Sequence, residues 1–268
     1  MKTLLVARED GVVTATLNRP ARRNALSLTM FRELRELIDE VARTPADRVL
    51  VLRGAGGNFC SGGDLMPEPG EPLPDFGGPG SAPAAAMVSI RNDVGRTALA
   101  LHALEKPSIA AVEGVAAGAG ANLALGCDLT LAARGARFGQ VFVRRGLSLD
   151  MGGSWLLPRL VGAKKAKELA LTGDWIEADE AERIGLVNRV FAPEAFEAGV
   201  RECAAKLAAQ APLAVAAIKK SLDRAHELSF AEALEVETLA QAALTGTLDF
   251  AEAMAAFRDK REPKFRGA

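Results

Sequence analysis

Three short runs of this chain are apolar almost end to end and close on glycine or alanine: RVLVLRG (48–54), PSIAAVEG (107–114) and DLTLAA (128–133). A strand with one wet face alternates apolar and polar residues, so runs of this kind belong to strands covered on both faces. Between them the spacing becomes helical. SLTMFRELRELIDEVART (27–44) sets Met30, Phe31, Leu34, Leu37, Ile38 and Val41 on one side behind Ser27 as N-cap, and further helices are expected over 84–104 and 119–125. Strands alternating with helices predict α/β layers with substantially parallel strands, not a bundle or a sandwich. The chain opens differently, with LLVARE and VVTATLN flanking Asp10-Gly11 as a β-hairpin.

Past Trp155 the strand signals mostly stop, and from Pro193 the pattern is helical throughout. The chain therefore divides into an α/β core, 1–192, and a C-terminal helical region, 193–268. MPEPGEPLPDFGGPGSAP, Met66 to Pro83, holds too much Pro and Gly for a long regular element; a loop of that length is either disordered or a functional lid.

Composition removes several classes of function. With 268 residues, 49% of them hydrophobic, and a net charge of -1, the chain can bury a large core but has no general pull toward nucleic acid or anionic lipid. Cys60, Cys127 and Cys203 form no CxxC pair and cannot all be bridged, which argues against a zinc site and for a reducing cytoplasm. The N-terminus is too briefly apolar for a signal segment, and Ser108 to Ala133 is interrupted by Glu113, Asn122 and Asp128, so no membrane span is expected.

Glycines gather where strands should end: NFCSGGDL (58–65), GVAAGAGANLALG (114–126) and GLSLDMGGSW (146–155). Ligands of open α/β proteins collect at such strand ends, where backbone can approach a ligand and a following helix offers unpaired N–H groups. Each stretch taken singly is ordinary turn chemistry. None is a nucleotide fingerprint: neither GxGxxG on a first strand nor GxxxxGK[ST] occurs. A nucleophilic hydrolase is disfavoured as well, because Ser61 lacks a GxSxG elbow and the two histidines, His102 and His226, lie in helical segments.

Six blocks in order, LNRPARRNALS (17–27), NFCSGGDL, KPSIAAVEGVAAGAGANLALGCDLTLA (106–132), ARFGQ (136–140), GLSLDMGGSWLLPRLVGAKKAKELALTG (146–173) and EADEAERIGLVNRV (177–190), resemble the enoyl-CoA hydratase/isomerase, or crotonase, superfamily. In wording they are similar to its epoxyphenylacetyl-CoA isomerase-like and bacterial enoyl-CoA hydratase-like branch. The resemblance implies a repeated ββα superhelix with a C-terminal helical trimerisation region, assembling as a homotrimer or a dimer of trimers. It implies an acyl-CoA substrate, with coenzyme A part of the substrate and no permanent cofactor or metal. By the same resemblance the backbone N–H groups of Ser61 and Ala119 form an oxyanion hole, in which one preorganised donor is typically worth ~3 kcal/mol. The resemblance also lays the CoA arm and acyl group along Arg23, Ala25, Cys60, Gly62, Gly63, Asp64, Leu65, Gly118, Asn122, Phe142 and Trp155, with Phe257 and Lys260 reaching in from a neighbouring helix or subunit.

Hydratases of the family place two glutamates at positions that here hold Asn122 and Phe142, neither of which accepts a proton at neutral pH. Asp150 is the one carboxylate at a matched catalytic position, where relatives with isomerase chemistry carry a functional aspartate. Isomerisation by a single aspartate is therefore expected, with hydration and non-catalytic acyl-CoA binding as alternatives. Asp150 is also well placed to cap a helix starting near Gly152 or Gly153. A helix start would hold its carboxylate ionised, whereas apolar neighbours such as Phe142, Met151 and Trp155 would raise its pKa.

Overall fold

The computed structural model describes residues 1–66 and 83–268, so the loop expected over Met66–Pro83 lies, for 67–82, outside the described residues. The hairpin forms as β1 (Leu4–Glu9) and β2 (Val12–Leu17), paired antiparallel. In α1 (Leu28–Arg43) the Ser27 Oγ accepts the Met30 N–H at 3.3 Å, and the apolar side expected from its spacing is buried. β3 (Val49–Gly54) follows. The helix expected over 84–104 comes in pieces: α2 (Pro83–Ser89), a π-type stretch at Ile90–Gly95, and α3 (Arg96–Ala103).

Next come β4 (Ser108–Val112), β5 (Val115–Ala117), α4 (Ala119–Leu125), β6 (Leu129–Ala133), β7 (Arg137–Gly139), a 3-10 turn at Val141–Arg145, and α5 (Gly153–Thr172). The strand signals that fade after Trp155 understate the fold, because β8 (Trp175–Glu177) and β9 (Arg189–Phe191) flank α6 (Ala178–Arg183). α7 (Pro193–Ala208), α8 (Pro212–Arg224), α9 (Phe230–Leu244) and α10 (Leu248–Asp259) complete the chain.

Two sheets result. The larger runs β1-β2-β3-β4-β6-β9 and is parallel from β2 onward; the smaller runs β5-β7-β8. The chain thus passes from β4 of one sheet to β5 of the other just before α4. Both faces of the large sheet are covered, as the unbroken apolar runs require. Leu50, Leu52 and Ala110 face a core shared with α1, α3 and α4, while Val49, Val51, Ile109 and Leu131 pack with Phe196, Val200 and Ala204 of α7. α7 therefore covers the sheet, and burying Phe196 there contributes about 2–3 kcal/mol. α8 and α9, in contrast, bury no residue. No helix among the described residues is long and apolar enough to cross a membrane.

Candidate active site at the start of α4

Asp150 does not cap α5. The N-cap is Gly152, in left-handed conformation at φ 80°, and no side chain caps the helix. Before it Met151 also takes a positive φ of 48°, which turns the main-chain carbonyl of Asp150 toward the helix start. That carbonyl accepts the Gly153 N–H and the Asn122 Nδ2, both at 2.9 Å. Asp150 is half-buried, and the Oδ1 of its carboxyl is fully buried with no hydrogen-bond partner. Phe142 and the adjoining Met151 are buried. Of the two opposing influences expected from the sequence, desolvation wins: burial pushes the Asp150 pKa up to about 7.

The Asp150 main chain is bonded to the first turn of α4 through Asn122, and its carboxyl lies within electrostatic reach of Cys60 packed on that turn. The carboxylate charge is felt by the thiol of Cys60, which burial pushes up to about 12, and Cys60 Sγ occupies the space a Cβ at Gly120 would need. Ala119, the first residue of α4, has an N–H with no intrahelical acceptor. The ring of Phe142 packs 3.7 Å from where a Cβ would stand on Gly118, so Phe142 roofs this helix start. Sequence block two and the Asp150 turn are thereby brought together.

Block one needs a correction. The Ser61 N–H, expected to face a thioester oxygen, donates to the Arg23 carbonyl at 2.9 Å. Successive N–H groups of an extended segment point to opposite sides: that of Cys60 reaches Val115 and that of Ser61 reaches the 19–25 loop. Gly62, at φ 108°, breaks this alternation. Leu26 then donates to Gly62 O and accepts from the Asp64 N–H, the pattern of a parallel bridge between Leu26 and Gly63. In such a bridge the N–H of Gly63 faces away from Leu26, and it meets no acceptor among the described residues. Gly63 is exposed, with nothing within 4 Å of a Cβ built on it.

Other expected residues divide. Asp64 is not a groove residue: its buried carboxylate pairs with Arg19 at 2.7 Å and accepts the Met66 N–H at 3.1 Å. Asn122 is fully buried with both ends of its amide bonded inside the protein, so its polar atoms do not face a ligand. Ala25 and Cys60 are buried in the wall, and Leu65 is exposed. Phe257 is 83% exposed on α10, and Lys260 ends that helix in a left-handed C-cap; neither lines the two cavities beside the site within this chain.

One of those cavities, of about 330 Å³, lies beside Ser61 and Ala117 and is lined by Arg23, Arg137, Arg144 and Arg145. The other, of about 270 Å³, lies between α3, α4 and α5, with Leu101, His102, Asn122, Met151 and Trp155 in its wall. His102 meets the Trp155 ring edge-on at 5.2 Å. Sequence reading assigned no role to Gln140 or His102. Gln140 was visible only as the last residue of the ARFGQ block, and His102 as one polar residue on a helix.

Comparison with known proteins gives the family and the fold. The family model for enoyl-CoA hydratase/isomerase matches residues 7–268. The chain is 37% identical to 1,2-epoxyphenylacetyl-CoA isomerase of Escherichia coli strain K12, covering 100% of this chain and 99% of that protein. It is 35% identical to short-chain-enoyl-CoA hydratase of Clostridium acetobutylicum, covering 98% and 97%. The crystal structure of enoyl-CoA hydratase from Bacillus anthracis superposes with a TM-score of 0.89 at 32% identity, covering 99% and 100%. The chain belongs to the enoyl-CoA hydratase/isomerase family, whose enzymes act on acyl-CoA thioesters. Its fold is the crotonase fold expected from the six blocks.

Proposed function

We propose that this chain shifts a carbon–carbon double bond in an unsaturated acyl-CoA, with Asp150 as the proton carrier. The Asp150 carboxylate takes the C2 proton of a 3-enoyl thioester. The electron pair spreads through the thioester as a dienolate, and the proton returns at C4 to leave the 2-enoyl thioester. One carboxyl serves both transfers, so no water is consumed. The N–H groups of Gly63 and Ala119 hold the developing oxyanion, with Gly63 in the place first assigned to Ser61.

The observation that carries this reading is the buried Oδ1 of Asp150, which has no hydrogen-bond partner, on a carboxyl whose pKa is raised to about 7, near the value at which a group both takes and returns a proton well. Asn122 and Phe142 supply no second acid or base. In this reading the acyl group extends toward Met151 and Trp155, and the CoA arm follows the backbone of Arg23, Ala25 and Cys60 to Leu65. The arginines that line the 330 Å³ cavity suit its phosphates. The exposed apolar residues of α8 to α10 suit assembly as a cytoplasmic homotrimer, in which Phe257 and Lys260 reach a neighbour's CoA.

The test is incubation of a 3-enoyl-CoA with the protein in deuterated water, beside Asp150→Asn. Isomerised product from the wild type, with deuterium at C4 only to the extent that the proton on Asp150 exchanges with solvent before it is returned, and no product from the variant, is expected. A 3-hydroxyacyl-CoA product would instead make the chain a hydratase, the activity named for its Clostridium relative. Neither product from straight-chain or aromatic thioesters that bind would make it a binding protein.

A further inference from the structure

Asn122 stands where hydratases of the family carry a glutamate, and it is bonded on both sides. Its Nδ2 donates to the Asp150 carbonyl at 2.9 Å, and its Oδ1 accepts the Gln140 Nε2 at 2.8 Å. Both side chains are buried. Gln140 follows β7 directly and precedes the 3-10 turn that carries Phe142, so this pair of bonds ties α4, the Phe142 turn and the Asp150 turn together.

The Asp150 turn needs such a hold. Met151 has a left-handed φ of 48°, a conformation that persists in a non-glycine residue only where the surroundings impose it. Two donors grip the carbonyl that starts the turn: the Gly153 N–H from within and Asn122 from α4. The contact is tight, because a Cβ at Gly153 would collide with the Asn122 amide. Asn122 has nothing to do with the Asp150 carboxyl itself; it fixes the main chain from which that carboxyl projects.

We infer that Asn122, oriented by Gln140, is a positioning residue that clamps the Asp150 turn and so aims the Asp150 carboxyl at the substrate carbon. The inference rests on the proton-transfer reading for its kinetic consequence and on geometry alone for the clamp. An amide suits this post and a carboxylate does not. The residue at 122 must donate to a carbonyl and accept from a glutamine at once; an ionised acid only accepts, and it would add a second negative charge beside Asp150. The loss of the family's glutamate is then a change of task at this position.

Asn122→Ala and Gln140→Ala test the clamp in two ways. On a 3-enoyl-CoA the clamp predicts a kcat lowered about 10- to 100-fold in Asn122→Ala and less in Gln140→Ala, with KM within twofold, since small misplacement of a catalytic group costs rate more than binding. With ¹³C-carboxyl-labelled aspartate, the Asp150 resonance, identified by its loss in Asp150→Asn, is expected to change shift and titration midpoint toward those of an ordinary carboxylate in both variants. A raised KM at unchanged kcat, or an Asp150 resonance identical to wild type in the variants, overturns the clamp. The resonance needs no turnover, so a wild type without isomerase activity sinks the proposed reaction while the clamp is still judged. Should Asn122→Ala not fold, Gln140→Ala, which removes one bond only, decides the matter by the same two readings.

Discussion

At the Asp150 turn two buried oxygens, Asp150 Oδ1 and Gln140 Oε1, have no hydrogen-bond partner; on α8 and α9 no residue is buried, and Leu213, Ile218, Leu222, Phe230, Leu234 and Leu239 are exposed. The two regions are incomplete in opposite chemical senses. An unmet polar group inside the protein costs about 1–3 kcal/mol and is relieved by a proton or a polar ligand. An apolar helix face left in water is relieved only by another apolar surface. α1 supplies the baseline, since its apolar side is buried within the chain and its N-terminus is capped by Ser27. Under the proposed function the contrast separates a region open for chemistry from one open for another copy of the chain.

The hardest blow to that contrast falls on Asp150. Asp150→Asn is expected to lower isomerisation about 10²- to 10⁴-fold while thioester binding, followed by calorimetry, stays near wild type. A variant that isomerises at the wild-type rate would mean the buried oxygen serves no proton transfer. Because the base form starts the reaction and its pKa is about 7, wild-type kcat/KM should fall about tenfold per pH unit below that value and level above it.

Next in size is the donor at the start of α4. Proline is tolerated at the first position of a helix, so Ala119→Pro removes one N–H and leaves α4 its remaining bonds. Loss of that donor is expected to reduce kcat about 10²- to 10³-fold at unchanged circular dichroism. Unchanged kcat would take Ala119 out of the oxyanion hole.

How much of this was legible beforehand depended on how far each signal ran along the chain. α1 spans 16 residues, so its apolar spacing repeats enough to be read, and Ser27 marks its start. β5, β7, β8 and β9 have three residues each, too few for a period, and they exist because a neighbouring strand pairs with them. Asp150 was legible as a position. Whether it capped a helix was not, because the answer turns on the left-handed Met151, which is held in place by contacts from α4. That the Ser61 N–H is spent on the Arg23 carbonyl was hidden for a similar reason: SGGD displays the residues but not which peptide turns, and that is decided by the φ of Gly62.

The same buried carboxyl should make itself felt in stability. In the native chain Asp150 keeps its proton up to about pH 7, whereas unfolded it ionises near 3.8. Between those values the unfolded chain gains by releasing the proton, so this group's contribution to stability falls as pH rises from 4 to 7 and then levels. The full shift corresponds to at most ~4 kcal/mol, less whatever an uncharged amide forfeits by burial at the same place. Asp150→Asn is therefore expected to match wild type at pH 4 and to exceed it at pH 8 in urea denaturation. A difference independent of pH would place the carboxylate in water, and the contrast with the C-terminal helices would lose its polar half.

The smallest effect expected is on the apolar half. Leu222, on α8, is 67% exposed in the single chain. If its face were simply wet, Leu222→Asp would change stability by no more than about 0.5 kcal/mol, as surface substitutions usually do. If another copy covers it, the substitution forfeits about 1.5–3 kcal/mol of apolar burial per chain and leaves a charge in a dry contact. Sedimentation equilibrium is then expected to show the proposed trimer dissociating at concentrations where the wild type stays associated, with a thermal midpoint that has become concentration-dependent. Leu34→Asp in α1 gives the matching measurement: it should unfold the protein at every concentration, because Leu34 is buried within its own chain. A Leu222→Asp variant that sediments and melts like wild type would show α8 to be an exposed helix in its own right, and the two regions would then differ in exposure alone.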